Sequence, residues 1–480
     1  MEQLKNSTAY AVFNNFEKIS QIPRCSHDEE RISKFIYEFG KNLGYESIRD
    51  EFGNVIIRRP ATKGYENREI LTFQAHLDMV CEKTYDSVHD FTCDPIELII
   101  NGDFIHANKT TLGADDGAGV ALLMTLLEDK SIEGPEIEAL FTTTEETGMD
   151  GALGLGKDIL KGKKLINLDN EEDFRIFVGC AGGVDAILTS NIERVQISNL
   201  ENYEIKVFGL QGGHSGSMIN EPRLNANKVL DLLLSKLKND LDIKLIDFNG
   251  GSKRNAIPSH ASAKIGVCRD SIEKFNEVFD EIIHEIKDQN LKRELDLDFS
   301  LEKLNENYDY IEDDKANKIV RLLQLFPHGV NTMDKELDVV KSLNNLAIVN
   351  ISKDEIKLIT SIRSSDEDDL EYLKNLVLDL GKSMDFEVKF SDGYPMWKPK
   401  FDSVLLNRAK EIYKKIKNED VEVAVIHAGL ETGIISEKYP DMQIISIGPN
   451  ITGAHTPNER LQISSVEFVF EYLKELLKDL

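Results

Sequence analysis

Residues Glu69–Asp78 read EILTFQAHLD. A short, largely apolar run set between helical patterns predicts a strand of an α/β sheet covered on both faces. The histidine and aspartate that follow it stand where open α/β sheets bind ligands, beyond the carboxyl ends of strands. The pattern recurs along the chain. EALFTTT (Glu138–Thr144) runs into Glu145 and Glu146, and KLINL (Lys164–Leu168) runs into Asp169. QIISIG (Gln443–Gly448) leads to His455 in GPNITGAHTP. Helical patterns lie between these runs. VALLMTLLEDK after Gly117 and Gly119 predicts a buried helix, LLNRAKEIYKKI an amphipathic one, and Val12, Phe13, Phe16 and Ile19 recur at helical spacing. The predicted class is α/β, a central sheet flanked by helices.

The middle of the chain has a different rhythm. From Tyr203 the order is strand YEIKVFGL, helix RLNANKVLDLLLSKL, strands IKLIDF and SAKIGVC, and helix IEKFNEVFDEIIHEI. The order then recurs, with LDLDFSL as strand, ANKIVRLLQLF as helix, LAIVNI and EIKLITSIR as strands, SSDEDDLEYLKNLVLDL as helix and FEVKFS as strand. Ser364 or Ser365, ahead of an acidic first turn, is the expected N-cap of that last helix. Two successive βαββαβ halves predict an inserted α+β domain with an internal duplication. The expected division is 1–184 and 388–480 for the sheet-bearing domain, with 185–387 inserted.

The chain has 480 residues, which at roughly 150 per domain suggests two to four domains. Its formal charge of −28 repels phosphate backbones and anionic lipid, so nucleic-acid and membrane-surface partners are not expected. The longest apolar stretch, Val120–Leu127, is too short to span a bilayer, and the first twenty residues lack the apolar core of a signal peptide. Five scattered cysteines without a CxxC pair suit a reducing, cytoplasmic compartment better than a disulfide framework.

Taken singly, an acid at a strand end is most often solvated surface charge. His27, His89, His106, His260, His284 and His328 take the corresponding ordinary reading. The joint set is harder to explain that way. Two imidazoles and several carboxylates make a hard-to-borderline donor set suited to Zn²⁺ or Mn²⁺. Asp115, in TLGADDGAG (Thr111–Gly119), adds a carboxylate on a glycine-rich loop. Asp115 and Asp116 would repel a phosphate, so a cation suits this loop better. Adjacent Glu145 and Glu146 cannot aim at one atom from an extended backbone. One can ligate a metal while the other takes a proton from water, the division of labour that metal-assisted hydrolysis requires. Asp78, two residues from His76, could orient its imidazole.

At these residues the sequence resembles the Xaa-His dipeptidases, also called aminoacylhistidine or cytosol non-specific dipeptidases, of the di-zinc aminoacylase and carboxypeptidase superfamily. FQAHLDMV, TTLGADDGAGVA, TTTEETGMDGA, INLDNEE, VGCAGGVD, GLQGGHSG, RNAIPSHA, HAGLETG and GPNITGAHTPNERL carry the resemblance, which spans most of the chain. Asp116 departs from the pattern, since some members have Asn there. The resemblance implies two zinc ions, with Mn²⁺ or Co²⁺ as possible substitutes, bridged by Asp115 and a water. His76 and Asp169 would complete one shell, and Glu146 and His455 the other. Glu145 would be the general base and Asp78 the support for His76. The inserted domain becomes a lid whose His214 stabilises the oxyanion. Asn255 and Arg363 are candidates for the substrate carboxylate, which a guanidinium fork matches. His427 and Glu431 are candidates for the pocket wall near the substrate amine. The implied activity is hydrolysis of dipeptides, including Xaa-His types such as β-alanyl-histidine, by a monomer or homodimer. The alternatives are an N-acyl-amino-acid deacylase on the same scaffold and a non-catalytic metal-binding homologue.

Overall fold

The computed structural model describes residues 1–216, 218–335 and 339–480. They form two compact units: Met1–Cys180 with Trp397–Val425 and Leu430–Leu480, and Ala181–Met396 with Ile426–Gly429. The second unit thus extends the expected insertion at both ends and takes up a short piece of the later chain.

In the first unit the strands Ile137–Thr142, Leu71–His76, Lys164–Asn167 and Gln443–Ser446 lie side by side in that order, all parallel. Every residue of Leu71–His76 is buried, the polar Thr72 and Gln74 included, so both faces of this strand are covered. An antiparallel pair, Glu46–Arg49 and Val55–Arg59, extends one side, and Arg175–Cys180 and Glu422–Ile426 extend the other. Register aligns His76 with Thr142 and Gln74 with Asn167, so the acid- and histidine-bearing segments leave the sheet at one edge.

The helix Ala114–Glu128 is buried from Ala114 to Leu127, so it carries apolar residues all round. Against it packs Tyr10–Ser20, which buries Val12, Phe13, Phe16 and Ile19. Asn15 joins the two by donating to Thr125 Oγ1 and Glu128 Oε1. Removing a buried ring such as that of Phe16 should cost about 3–5 kcal/mol. A small antiparallel sheet, Ile451–Thr452, Arg460–Gln462, Phe104–Ala107 and Leu98–Asn101, makes residues 453–459 a hairpin loop.

In the second unit one antiparallel sheet runs Asp298–Leu304, Leu200–Phe208, Ala261–Cys268, Ile243–Gly250, Val339–Ile351, Glu355–Ser364, Gly182–Asn191, Glu387–Phe390, with Gly329–Asp334 beside Val339–Ile351. Helices Ala226–Asp240, Ile272–Asn290, Asp313–Leu325 and Glu367–Ser383 share a single core with it, through residues such as Leu230, Phe275, Ile319 and Leu373.

Two halves are present, but they are nested rather than successive. LDLDFSL does not open the second half. It closes the first, pairing with Leu200–Phe208. The second half begins earlier, with Gly182–Asn191, and resumes at the helix Asp313–Leu325. Both halves then show the same strand order, and they meet where Asn249 and Gly250 pair with Asn350 and Val349. Where the chain leaves the outer half and returns, Arg194–Val195 and Tyr310–Ile311 pair as a ribbon. Periodicity marks a strand but not its partner, so the sequence reading misassigned this one.

Two smaller expectations are also corrected. Asp366, not Ser364 or Ser365, caps the helix Glu367–Ser383 by accepting from Asp369 N–H at 3.1 Å. Cys25 and Cys81 are joined in a disulfide, with their Cα atoms 5.7 Å apart. The backbone bridge between Cys25 and Met79 brings the two segments together, a proximity that 56 residues of separation conceal.

Candidate metal centre

The parallel strands deliver His76 directly, and Asp169 two residues after Lys164–Asn167. Glu145 and Glu146 stand in a single helical turn, Glu145–Thr147, rather than on extended chain. Thr144 enters that turn at φ +61°. Asp115 opens the buried helix Ala114–Glu128 with non-helical φ and ψ of −81° and 110°, and the Asp115–Asp116 peptide is cis. His455 comes from the 453–459 hairpin loop, at φ +62°.

These residues converge on Asp115. Its Oδ1 lies 3.0 Å from His76 Nε2, and its Oδ2 lies 3.1 Å from His455 Nε2. Asp169 Oδ1 is 3.4 Å from His76 Nε2, and Glu146 Oε2 is 2.9 Å from His455 Nε2. The five expected ligands therefore fall into two sets that share one carboxylate. Among the described residues, His76, Asp116 and Asp169 also lie close enough to hold an ion. Asp116, however, is already engaged, accepting His76 N–H and Gly119 N–H at 3.1 Å each. Its carboxylate organises the site's backbone, while the two oxygens of Asp115 face different histidines.

Asp78 does more than the sequence suggested. Its Oδ1 is 3.4 Å from His76 Nδ1, long for a hydrogen bond, and Nδ1 has no well-formed partner. The same carboxylate accepts the N–H groups of Glu145 and Glu146 at 3.0 and 3.1 Å and the Ser26 hydroxyl at 2.8 Å. Asp78 thus fixes the turn that carries both glutamates.

The electrostatics are those of a crowded anionic cavity. Burial pushes the Glu145 carboxyl well above its usual range, with His76 opposing and Asp169, Glu146 and Glu431 adding to the rise. Burial raises Asp169 to about 7. Burial also works against ionisation of Asp115, but bonds from His455 and His76 outweigh it and hold the group below the usual carboxylate range. Bonds to Asp115 and Glu146 raise His455 to about 11. Two divalent cations fit this donor set. Carboxylates that resist ionising together, two imidazoles and the buried, unpartnered Glu146 Oε1 are all served by positive charge.

The second unit gathers its own candidates. Ser215 N–H donates to Asn255 O at 2.9 Å, and His214 bridges Ala256, so the GGHSG and RNAIP loops run together. Arg363 Nη1 donates to His427 O at 2.7 Å. A Cβ on Gly216 would come within 2.7 Å of Arg363 Nη1 and 2.9 Å of His214 Cε1, so that glycine lets the groups close up. Arg363 is buried, and no carboxylate among the described residues pairs with it. Both His427 ring nitrogens are buried without partners, and burial, aided by the charge of Arg363, lowers the imidazole to about 4.

Glu431 belongs to the first unit. It is 1% exposed and accepts from Gln74 Nε2 and Thr142 Oγ1 beneath the strand ends, and burial raises it to about 8. His427 shares the cationic surroundings of Arg363, and carboxylate-side and supporting roles for His427 and Glu431 are proposed below.

The sequence reading gave no role to Arg24 or Ser26, and quoted Glu459 only as part of a motif. These residues act on backbone groups or on Asp78, and backbone donors leave no trace in residue types.

The profile of the Peptidase family M20/M25/M40 matches residues 72–479. The chain is 37% identical over 482 residues to the cytosol non-specific dipeptidase of Escherichia coli (strain K12), covering 100% of this chain and 99% of that protein. The crystal structure of an aminoacylhistidine dipeptidase from Vibrio alginolyticus matches with a TM-score of 0.89 at 34% identity, covering 100% of this chain and 99% of that one. A tripeptidase from Staphylococcus aureus shares the fold, with a TM-score of 0.57 at 15% identity and 98% of each chain covered.

Proposed function

Because the chain belongs to peptidase family M20/M25/M40 and is similar over its full length to a cytosol non-specific dipeptidase and an aminoacylhistidine dipeptidase, we propose that it is a di-zinc dipeptidase of the cytoplasm that accepts Xaa-His substrates. Among the described residues no helix is long and apolar enough to cross a membrane. The observation that carries the reading is the split use of Asp115, one oxygen toward His76 and the other toward His455. His76, Asp115 and Asp169 would hold one ion, and Asp115, Glu146 and His455 the other. When bound, such ions supply Lewis-acid activation of the scissile carbonyl and of water.

The chain's own groups do the rest. Glu145 takes the proton of the attacking water and returns it to the leaving amine, a task suited to a carboxyl whose proton affinity burial raises well above the usual range. Asp78 holds the turn from which Glu145 acts. His214 donates to the developing oxyanion. Arg363, with Asn255 and the neutral His427, receives the substrate carboxylate, since a buried guanidinium without an acidic partner is a ready carboxylate receptor. Glu431 supports the strand ends from below.

The test is a dipeptide panel assayed on chelated enzyme with Zn²⁺, Mn²⁺ or Co²⁺ added back. Restored cleavage of free-amine dipeptides, including a histidine-terminated one, is the expected result. Preference for N-acetyl amino acids would make the protein a deacylase, and absence of metal-dependent cleavage would make it a binding homologue.

A further inference from the structure

We propose that Arg24 and Glu459 are positioning residues that hold the bridging Asp115 between the two histidine-bearing segments. The inference rests on the paired-metal reading and goes beyond its ligands and base.

Glu459 is 2% exposed and comes from the same hairpin loop as His455. Its Oε2 accepts Leu112 N–H and Gly113 N–H at 2.7 and 2.9 Å, and its Oε1 accepts Ala114 N–H at 2.7 Å and Asp115 N–H at 3.3 Å. The first N–H groups of a helix have no partner within it, and a nearby residue's side chain commonly supplies one. Here Gly113 stands at the cap position and has no side chain to offer. A carboxylate more than 340 positions away in sequence takes four donors at once.

Arg24 works from the other side. It is 2% exposed, and its Nη1 donates to Leu77 O and Asp78 O at 2.9 Å each, while its Nη2 donates to Gly113 O. The Gly113 residue is therefore held through its N–H by an anion and through its carbonyl by a cation. The glycines make room for this. A Cβ at Gly113, where φ is +67°, would lie 2.7 Å from Arg24 Nη2, and one at Gly117 would lie 2.5 Å from it. Arg24 thereby ties the loop of Asp115 to the segment of His76 and Asp78, and Glu459 ties it to the loop of His455.

Both charges satisfy buried backbone groups and so add to stability, and ligand geometry must in addition be held within a fraction of an ångström. Loss of groups that orient metal ligands typically costs 10–100-fold in affinity.

The experiment strips wild type, Glu459→Gln, Arg24→Lys and Tyr472→Phe of metal. Zn²⁺ is titrated against a chromophoric competitor, followed by apo-protein Tm, kcat and KM. Tyr472→Phe removes a buried bond to Ala409 O and serves as a stability control. Glu459→Gln and Arg24→Lys should bind zinc roughly 10–100-fold more weakly. Their kcat should fall with KM within about twofold, while the control loses Tm but not zinc affinity. If Glu459→Gln fails to fold, Glu459→Asp keeps the charge on a shorter stem and should show a smaller loss of affinity. Unchanged zinc affinity in folded variants, whatever their Tm, would overturn the positioning role while leaving the metal reading intact. Wild type that takes up fewer than two ions would refute the metal reading and this inference with it.

Discussion

Glu145→Ala separates base from ligand. The need for a test is geometric, because Glu145, Glu146 and His76 also lie close enough together to hold an ion. The contacts argue that Glu145 is left out. Asp115, Asp169, Glu146 and His455 contact one another or His76 at 2.9–3.4 Å, and although Asp78 holds the N–H groups of both glutamates, it is the Glu146 carboxylate that meets His455. Removing its carboxyl should leave two ions per chain and abolish most turnover. A general base is worth about 10²–10⁴-fold, or ~2.7–5.5 kcal/mol of barrier. Asp115→Ala should behave differently, since each of its oxygens faces a different histidine, and both ions should be weakened. The assay pairs elemental analysis of gel-filtered protein with kcat on a free dipeptide. Equal metal loss in the two variants would refute the separation, and so would a Glu145→Ala enzyme that keeps both metal and activity.

Arg363→Ala should raise KM for free dipeptides by about 10–100-fold, the worth of a charge-assisted bond, and leave KM for dipeptide amides nearly unchanged; equal effects on both would remove Arg363 from the carboxylate site. Asp231 is 2% exposed, its Oδ1 has no partner, and burial raises it from 3.8 to about 8, with Lys228 opposing. The folded chain therefore holds this proton more tightly than the unfolded one, so its contribution to stability is full below pH ~4 and lost as pH climbs through ~8. Asp231→Asn should open a Tm advantage that widens over that window, with an upper bound of several kcal/mol at ~1.4 kcal/mol per unit; a gap that does not change with pH would refute it.

The sequence was most legible where residue type and position carry the same message. The parallel strands could be read because they are short, largely apolar runs set between helical patterns, which leaves the acids and histidines at their ends conspicuous. His76, Glu146, Asp169 and His455 were singled out that way and Asp115 from its glycine-rich loop, with the resemblance deciding which glutamate is proposed to ligate. What depended on pairing was hidden. Asp298–Leu304 carries a clear strand pattern, yet nothing in it names Leu200–Phe208 as its neighbour, so nested halves read as successive ones. The Cys25–Cys81 bond was hidden for the same reason. Arg24 and Glu459 were hidden for another, since their partners are peptide groups that every residue possesses.

The loop TLGADDGAG shows how far a motif can mislead and still be read correctly. Glycines ahead of a helix, with N–H groups at its start, have the makings of a phosphate cradle. Charge excluded that use, because Asp115 and Asp116 would repel the ligand. The structure shows that the cradle is nonetheless an anion site, with the anion built in. Glu459 occupies the four N–H groups, Gly113 and Gly117 clear space for Arg24, and a side chain at Gly119 would collide with the Asp116 carboxylate. Each glycine thus answers to a neighbouring charged side chain of the same protein. With the helix start satisfied internally, the Asp115 side chain is left to face His76 and His455, and the loop presents a negative bridge where its glycines alone would have predicted a positive nest.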